Sequence, residues 1–258
     1  MNMDDIEAVL RQADTAGAEK LGVLALHPSS RVVSKVLSNA NLTDELALII
    51  AQRRNISPDI FEALYNDMRW RNHYTVMLAL CKNPKAPLKI VMSLLKSLRI
   101  FDLADLTRNP QIPINIRAKA EACISEKILS LPLGIKITLA KRAGSEVLVR
   151  LLEDGMKEVV VECLKSPLMT EQILCRIVST KKISSLVIRL IAGHPKWSSR
   201  YDVQWALIRN NHTPLACSVN FIKNLKTNDL NELYGNREVP VSTKPFIYRE
   251  LLERSDTV

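Results

Sequence analysis

Apolar residues in this chain fall in short bursts at helical spacing. Leu88, Val91, Met92, Leu95 and Leu98 form one stripe, and Ile173, Leu174, Ile177 and Val178 form another. Steps of three and four residues put each set on one face of a helix, whereas the two-residue alternation of a half-buried strand is never sustained. The bursts last about 10–18 residues and are cut by prolines, which predicts roughly 16–18 short helices and essentially no sheet.

The cuts follow a rule. Asn55, Asn83 and Asn109 lie 28 and 26 residues apart, after the stretches ALIIAQRRN, VMLALCKN and DLADLTRN. A proline follows each, at Pro58, at Pro84 and Pro87, or at Pro113. Asn83, Asn109, Asn210 and Asn236 are therefore expected at helix ends, where a short amide bonds local backbone and tolerates left-handed geometry. Ser57-Pro58 and Thr213-Pro214 predict a capping hydroxyl ahead of a proline that needs no amide donor. Thr43-Asp44-Glu45 and Thr170-Glu171 set acids against the positive end of a helix dipole, and Gly144 and Gly155 read as helix-end glycines.

The chain also aligns with itself, without a gap, at an offset of 127 residues. Trp70, Tyr74, Val76, Ala79, Leu80, Asn83, Pro87 and Leu88 recur as Trp197, Tyr201, Val203, Ala206, Leu207, Asn210, Pro214 and Leu215. With Lys96, Leu98, Asp102, Leu103, Leu106, Asn109 and Pro113 also matched, 15 of the 44 positions 70–113 are identical, against about 3 from ordinary residue usage. The pattern predicts an all-α fold in which units of about 27 residues, each a pair of short helices unable to bury its own apolar face, stack into a curved solenoid. Residues 1–258 then form a single solenoid with duplicated halves of approximately 1–130 and 131–258. Met1–Ala16 and the segment from Tyr248 are amphipathic and suit the two ends.

Composition narrows the function classes. At 47% hydrophobic and 24% charged the chain builds a core, and no apolar run is long enough to span a membrane. The acidic start and five cysteines without a CxxC pair (Cys81, Cys123, Cys163, Cys175, Cys217) fit a cytoplasmic protein. All five thiols are expected reduced and at least four largely buried. Four scattered histidines, no metal-ligand spacing and no glycine-rich phosphate loop give no catalytic residue, no cofactor and no metal site, and no small-molecule substrate is inferred.

Two features hint at partners. The net charge is +9, and part of it recurs at helix ends in Arg53, Arg54, Lys82, Arg108, Lys141, Arg142, Lys181, Lys182 and Arg209. These cations either serve their own helix C-termini, at about 0.3–1 kcal/mol each, or line up as a partner-binding ridge. The aromatic pairs Trp70/Tyr74 and Trp197/Tyr201 are four residues apart, as on one helix face, and have basic neighbours. They are either interior packing or anchors for a partner.

The NP-x-x-P-L opening at Asn83–Leu88, the run Leu98–Leu106 and the LPLG-x-KI-x-LA-x-R-A stretch at Leu131–Ala143 resemble a family of bacterial HEAT-like helical-repeat proteins of leucine-rich-repeat-variant type. The resemblance covers nearly the whole chain and implies an interaction scaffold without an active site. HEAT-like alkylpurine DNA glycosylases bind DNA in a basic groove, but their catalytic residues do not map onto this sequence. The expected function is a non-enzymatic scaffold with a protein partner. The second reading is nucleic-acid binding through a basic ridge. A mixed-charge groove with exposed apolar anchors would favour protein, and a basic stripe with few acids would favour nucleic acid.

Overall fold

A computed structural model describes residues 3–180 and 183–255. Among them there is no strand, and the fold is all-α. The helices are α1 (Met3–Thr15), α2 (Ala18–Ala25), α3 (Ser30–Ser38), α4 (Asp44–Gln52), α5 (Pro58–Asn66), α6 (Tyr74–Lys82), α7 (Leu88–Leu94), α8 (Ile100–Arg108), α9 (Ile114–Lys127) and α10 (Leu133–Arg142). They continue as α11 (Ser145–Asp154), α12 (Lys157–Lys165), α13 (Glu171–Val178), α14 (Ser185–Ala192), α15 (Pro195–Ser198), α16 (Tyr201–Ile208), α17 (Leu215–Ile222), α18 (Thr227–Gly235) and α19 (Lys244–Ser255). The count exceeds the expected range because the four residues around Trp197 form a helix of their own.

Some helix starts follow their sequences and others depart from them. Thr43 and Thr170 cap α4 and α13 by accepting from the amides of Leu46 and Ile173. Ser57 precedes Pro58 at the first position of α5, but its hydroxyl donates to Asp59 rather than capping an amide. Thr213 departs further: its hydroxyl donates back to the Leu207 carbonyl at 2.6 Å, and Pro214 takes the cap position of α17. Gly155 ends α11 at φ 75°, a left-handed conformation that a Cβ would strain.

The chain forms two compact units, Met1–Ile124 and Ser125–Val258. In each, helices pack on their next-but-one neighbours as well as on adjacent ones. In the first unit α1 packs on α3, α2 on α4, α3 on α5 and α4 on α6. In the second, α10 packs on α12, α12 on α14, and α17 on α19. The interiors are aliphatic: Leu21, Ile50, Phe61, Leu80 and Leu103 are fully buried in the first unit, and Leu139, Leu148, Val187 and Leu207 in the second.

The asparagines pin one helix pair to the one before it. Asn83 ends α6, is buried, and donates through Nδ2 to the carbonyls of Ala51 at 2.8 Å and Arg53 at 2.7 Å, while its Oδ1 accepts from the Lys85 amide at 2.9 Å. Asn210 repeats the arrangement on the Val178 carbonyl and the His212 amide. Asn109 and Asn236 make the local half, accepting from the amides of Gln111 and Glu238. None of these asparagines is left-handed, since Gly155 holds the one positive φ among the described residues. The side chain is needed for its hydrogen bonds and not for its backbone freedom. Asn39 belongs to the same set, donating to the Ala13, Asp14 and Ala16 carbonyls. At the offset of 127 its place is taken by buried Ser166, whose hydroxyl accepts from the Leu168 amide.

Candidate interaction surface

The helix-end cations divide by what they touch. Arg53 follows α4 and turns inward, donating to the carbonyls of Ala25 and His27 at the end of α2, and its partial burial lowers its pKa. Arg69 does the same to Leu37 and Asn39 after α3, and Arg254 to Lys223 and Leu225 after α17. Each arginine crosses to free carbonyls one helix pair upstream, where both hydrogen bonding and the helix dipole favour a cation. Arg54 donates to the Gln111 side chain at 2.7 Å, Lys141 lies 3.7 Å from Glu162, and Arg209 lies 3.5 Å from Glu238. Lys82, Arg108, Lys141 and Arg142 are exposed in the last turns of α6, α8 and α10. Lys181 and Lys182 lie outside the described residues.

Acids are interleaved with these cations. Glu162 is shared by Lys165 and Lys141, Arg176 pairs with Glu146 at 3.0 Å, and Lys35 with Asp14 at 2.9 Å. The hydrogen bond from Lys165 is the main cause of a lowered Glu162 pKa. These pairs are solvent-exposed on at least one side and contribute little stability. Their consequence is a surface of mixed sign.

The aromatic pairs do not share a helix face. Trp70 sits in the turn between α5 and α6, closed by amide bonds from Trp70 to the Asp67 carbonyl and from His73 to the Trp70 carbonyl. Tyr74 is the first residue of α6. In the second unit Trp197 lies on α15 and Tyr201 opens α16. The helix breaks between the members of each pair, so four-residue spacing no longer means a common face.

Both tryptophans are 3% exposed, so neither indole is presented to a partner. Trp197 Nε1 donates to the Leu164 carbonyl at 2.9 Å, whereas Trp70 Nε1 is buried without an acceptor. Subtracting 127 from Leu164 gives Leu37, whose carbonyl is already taken by Arg69. Lys196 stands where Arg69 stands, and it lies over the Trp197 ring at 4.0 Å.

The tyrosines tie their helices to the next tier. Tyr74 donates to Asp102 and accepts from the Arg99 amide at 3.1 Å; Tyr201 donates to Asp229 and accepts from the Lys226 amide at 3.0 Å. Desolvation first, and then the bond to the carboxylate, raises both phenol pKa values. A phenol raised in the folded state contributes stability that is fully present below about pH 10, its unfolded pKa, and is lost as pH climbs through the folded value. Wild type should therefore lose more unfolding free energy as pH rises above about 10 than the Tyr74→Phe/Tyr201→Phe variant. Urea melts across that range check this, and parallel slopes would remove the carboxylate contact from the account.

Among the exposed apolar side chains, several stand just after turn prolines. Leu88 and Leu215 open α7 and α17, and Ile114 and Val241 follow Pro113 and Pro240, at 76% and 84% exposure. Each member of these two pairs lies 127 residues from its counterpart, with Lys85, Arg108 and Arg237 close by in sequence. The periodic pattern hid this exposure, because Leu88 was counted into the buried stripe of its helix.

Cys81, Cys123 and Cys163 are buried, but Cys175 and Cys217 are only partly so, one buried thiol fewer than expected. All five are free. Burial pushes the thiols of Cys81 and Cys163 up to about 12, which leaves them protonated and inert at neutral pH. Among the described residues no group of histidine, cysteine and acidic side chains is arranged to hold a metal ion, and no helix is long and apolar enough to cross a membrane. No protein-family model and no curated protein sequence matches this chain.

Proposed function

We propose that this chain is a non-enzymatic scaffold that binds another protein, built as a HEAT-like helical-repeat solenoid from two copies of one sequence and working in the cytoplasm. The solenoid reading draws support from the self-alignment and from next-but-one helix packing within each unit. The observation that carries the binding reading is the recurrence of an exposed aliphatic residue after the turn proline, in a surroundings of both charge signs. Water-exposed aliphatics at fixed places in a repeat supply apolar anchors, and the mixed charges supply a polar rim and register. The inward-turned Arg53 removes one member of the basic ridge, which weakens the nucleic-acid reading that the +9 net charge suggests.

The test is affinity capture from the native host, with and without nuclease, using wild type and the Ile114→Glu/Val241→Glu variant. A specific protein retained after nuclease and lost with the variant is the expected result. Capture that disappears with nuclease, together with duplex binding that falls steeply as salt rises, would turn the assignment to nucleic acid.

A further inference from the structure

The second unit contains an open cleft of about 720 Å³ where the end of α13, the end of α16 and the turn after α18 run together. That volume is in the range of small-ligand sites, roughly 300–1,000 Å³. Its chemistry is divided. Arg209 and Arg237 lie on its wall with Glu238, and Val239, Pro240 and Val241 form an aliphatic side.

Arg209 is under-used. A guanidinium carries five donors, yet among the described residues this one makes no hydrogen bond. Its Nε is buried without an acceptor, and its ion-pair contact is a 3.5 Å approach to the well-exposed carboxylate of Glu238. Arg237 is exposed and makes no ion pair among the described residues. A planar carboxylate fits the guanidinium fork.

At the offset of 127 the two units differ beside this cleft. Thr180 stands where the first unit has Arg53. Arg53 spans to the Ala25 and His27 carbonyls, whereas the short Thr180 side chain reaches only the Arg176 carbonyl, one turn back at 2.9 Å.

We infer that this cleft binds a carboxylate carried beside an aliphatic group, with Arg209 and Arg237 holding the anion and the Val239–Val241 segment holding the aliphatic part. Among the described residues the lining carries two guanidiniums and one carboxylate. A monocarboxylate meets both guanidiniums, and Glu238 opposes a phosphate dianion. Two sources present this chemistry: a free aliphatic monocarboxylate, or the C-terminus of a peptide. The peptide arm rests on the protein-scaffold reading; the free-acid arm does not.

The test follows backbone amide shifts of Ser179, Asn211, Glu238 and Val241 in the full-length chain. The probes are hexanoate, a short peptide ending in valine and leucine with a free C-terminus, the same peptide amidated, and inorganic phosphate. Saturable shifts with a carboxylate probe are expected, and amidation should weaken the peptide roughly tenfold or more, as losing a hydrogen bond to a charged group does. Arg237→Gln, an exposed change that leaves the core intact, should weaken the response by a similar factor.

A response to hexanoate without one to the peptide supports the site with a free acid as ligand. A carboxylate-dependent response to the peptide supports it with a chain terminus as ligand. No response to either, equal response to the amidated peptide, or tighter binding of phosphate overturns the proposal. If the cleft ignores carboxylates while nuclease-resistant capture persists, this site falls alone; if capture fails while carboxylates bind, the scaffold reading falls alone.

Discussion

Replacing Lys136 with alanine should lower the stability of the second unit by about 3–5 kcal/mol, the usual penalty for stripping one partner from a buried ion pair. Lys136 of α10 and Asp154 at the end of α11 are 2.8 Å apart, with side chains 4% and 10% exposed. The Lys136 ammonium also lies 3.6 Å from the Met156 sulfur. Alanine at either position leaves the other charge buried with its hydration lost and nothing in exchange. Removing both charges together, as Lys136→Met/Asp154→Leu, should recover most of the loss, since well-packed apolar pairs often match buried ion pairs in stability. Urea unfolding of the two singles and the double, followed by amide exchange of residues in α10 and α11, separates these terms. Single-variant losses under about 1 kcal/mol, the value of an exposed pair, would show that water reaches the site.

Asn83→Leu should cost about 2–4 kcal/mol, because it strands one buried and one part-buried acceptor and one amide. The amide group of Asn83 serves the Ala51 and Arg53 carbonyls and the Lys85 N–H at once. No rotamer of leucine replaces any of them. Asn109→Leu is the control: its described side-chain bond is the local one from the Gln111 amide, so a loss near that of a helix cap, about 1 kcal/mol, is expected. Thermal and urea melts of both variants test the contrast. Equal losses would mean that the cross-tier bonds of Asn83 carry no weight.

These two sites show which information lies on the surface of the sequence. The asparagines were legible because their role is tied to a local event, the end of a helix, which repeats at a fixed interval. What the spacing did not reveal was the direction of the bonds, from each turn back to carbonyls of the preceding pair. Asn39 escaped the pattern because its counterpart at the offset of 127 is Ser166, a different residue doing part of the same work. Lys136 was illegible for another reason. A lysine at the start of a helix looks like a solvated cation, and only packing 18 residues away brings Asp154 to it.

The candidate surface was partly readable. Arg53 was placed at a helix end by sequence, yet whether it faced a partner or its own chain depended on where the Ala25 and His27 carbonyls lay. The tryptophans were identified by recurrence, but the helix boundary between Trp70 and Tyr74 erased the shared face that their spacing implied. The cleft beside Arg209 could not have been found from pattern, because its walls come from three separate segments, at the ends of α13 and α16 and after α18, that only packing brings together.

The side-chain pins between tiers have a consequence for how the chain folds. Asn39 reaches 26 residues back, Asn83 and Asn210 reach 32, and Trp197 reaches 33. Each bond therefore closes a loop of similar and modest length. Closure entropy rises slowly with loop size, and topologies made of near-sequence contacts fold fastest. A growing chain satisfies each pin as soon as the next helix pair is available, without waiting for its far end, and a lesion at one asparagine leaves a local opening that exchange of neighbouring amides would register first.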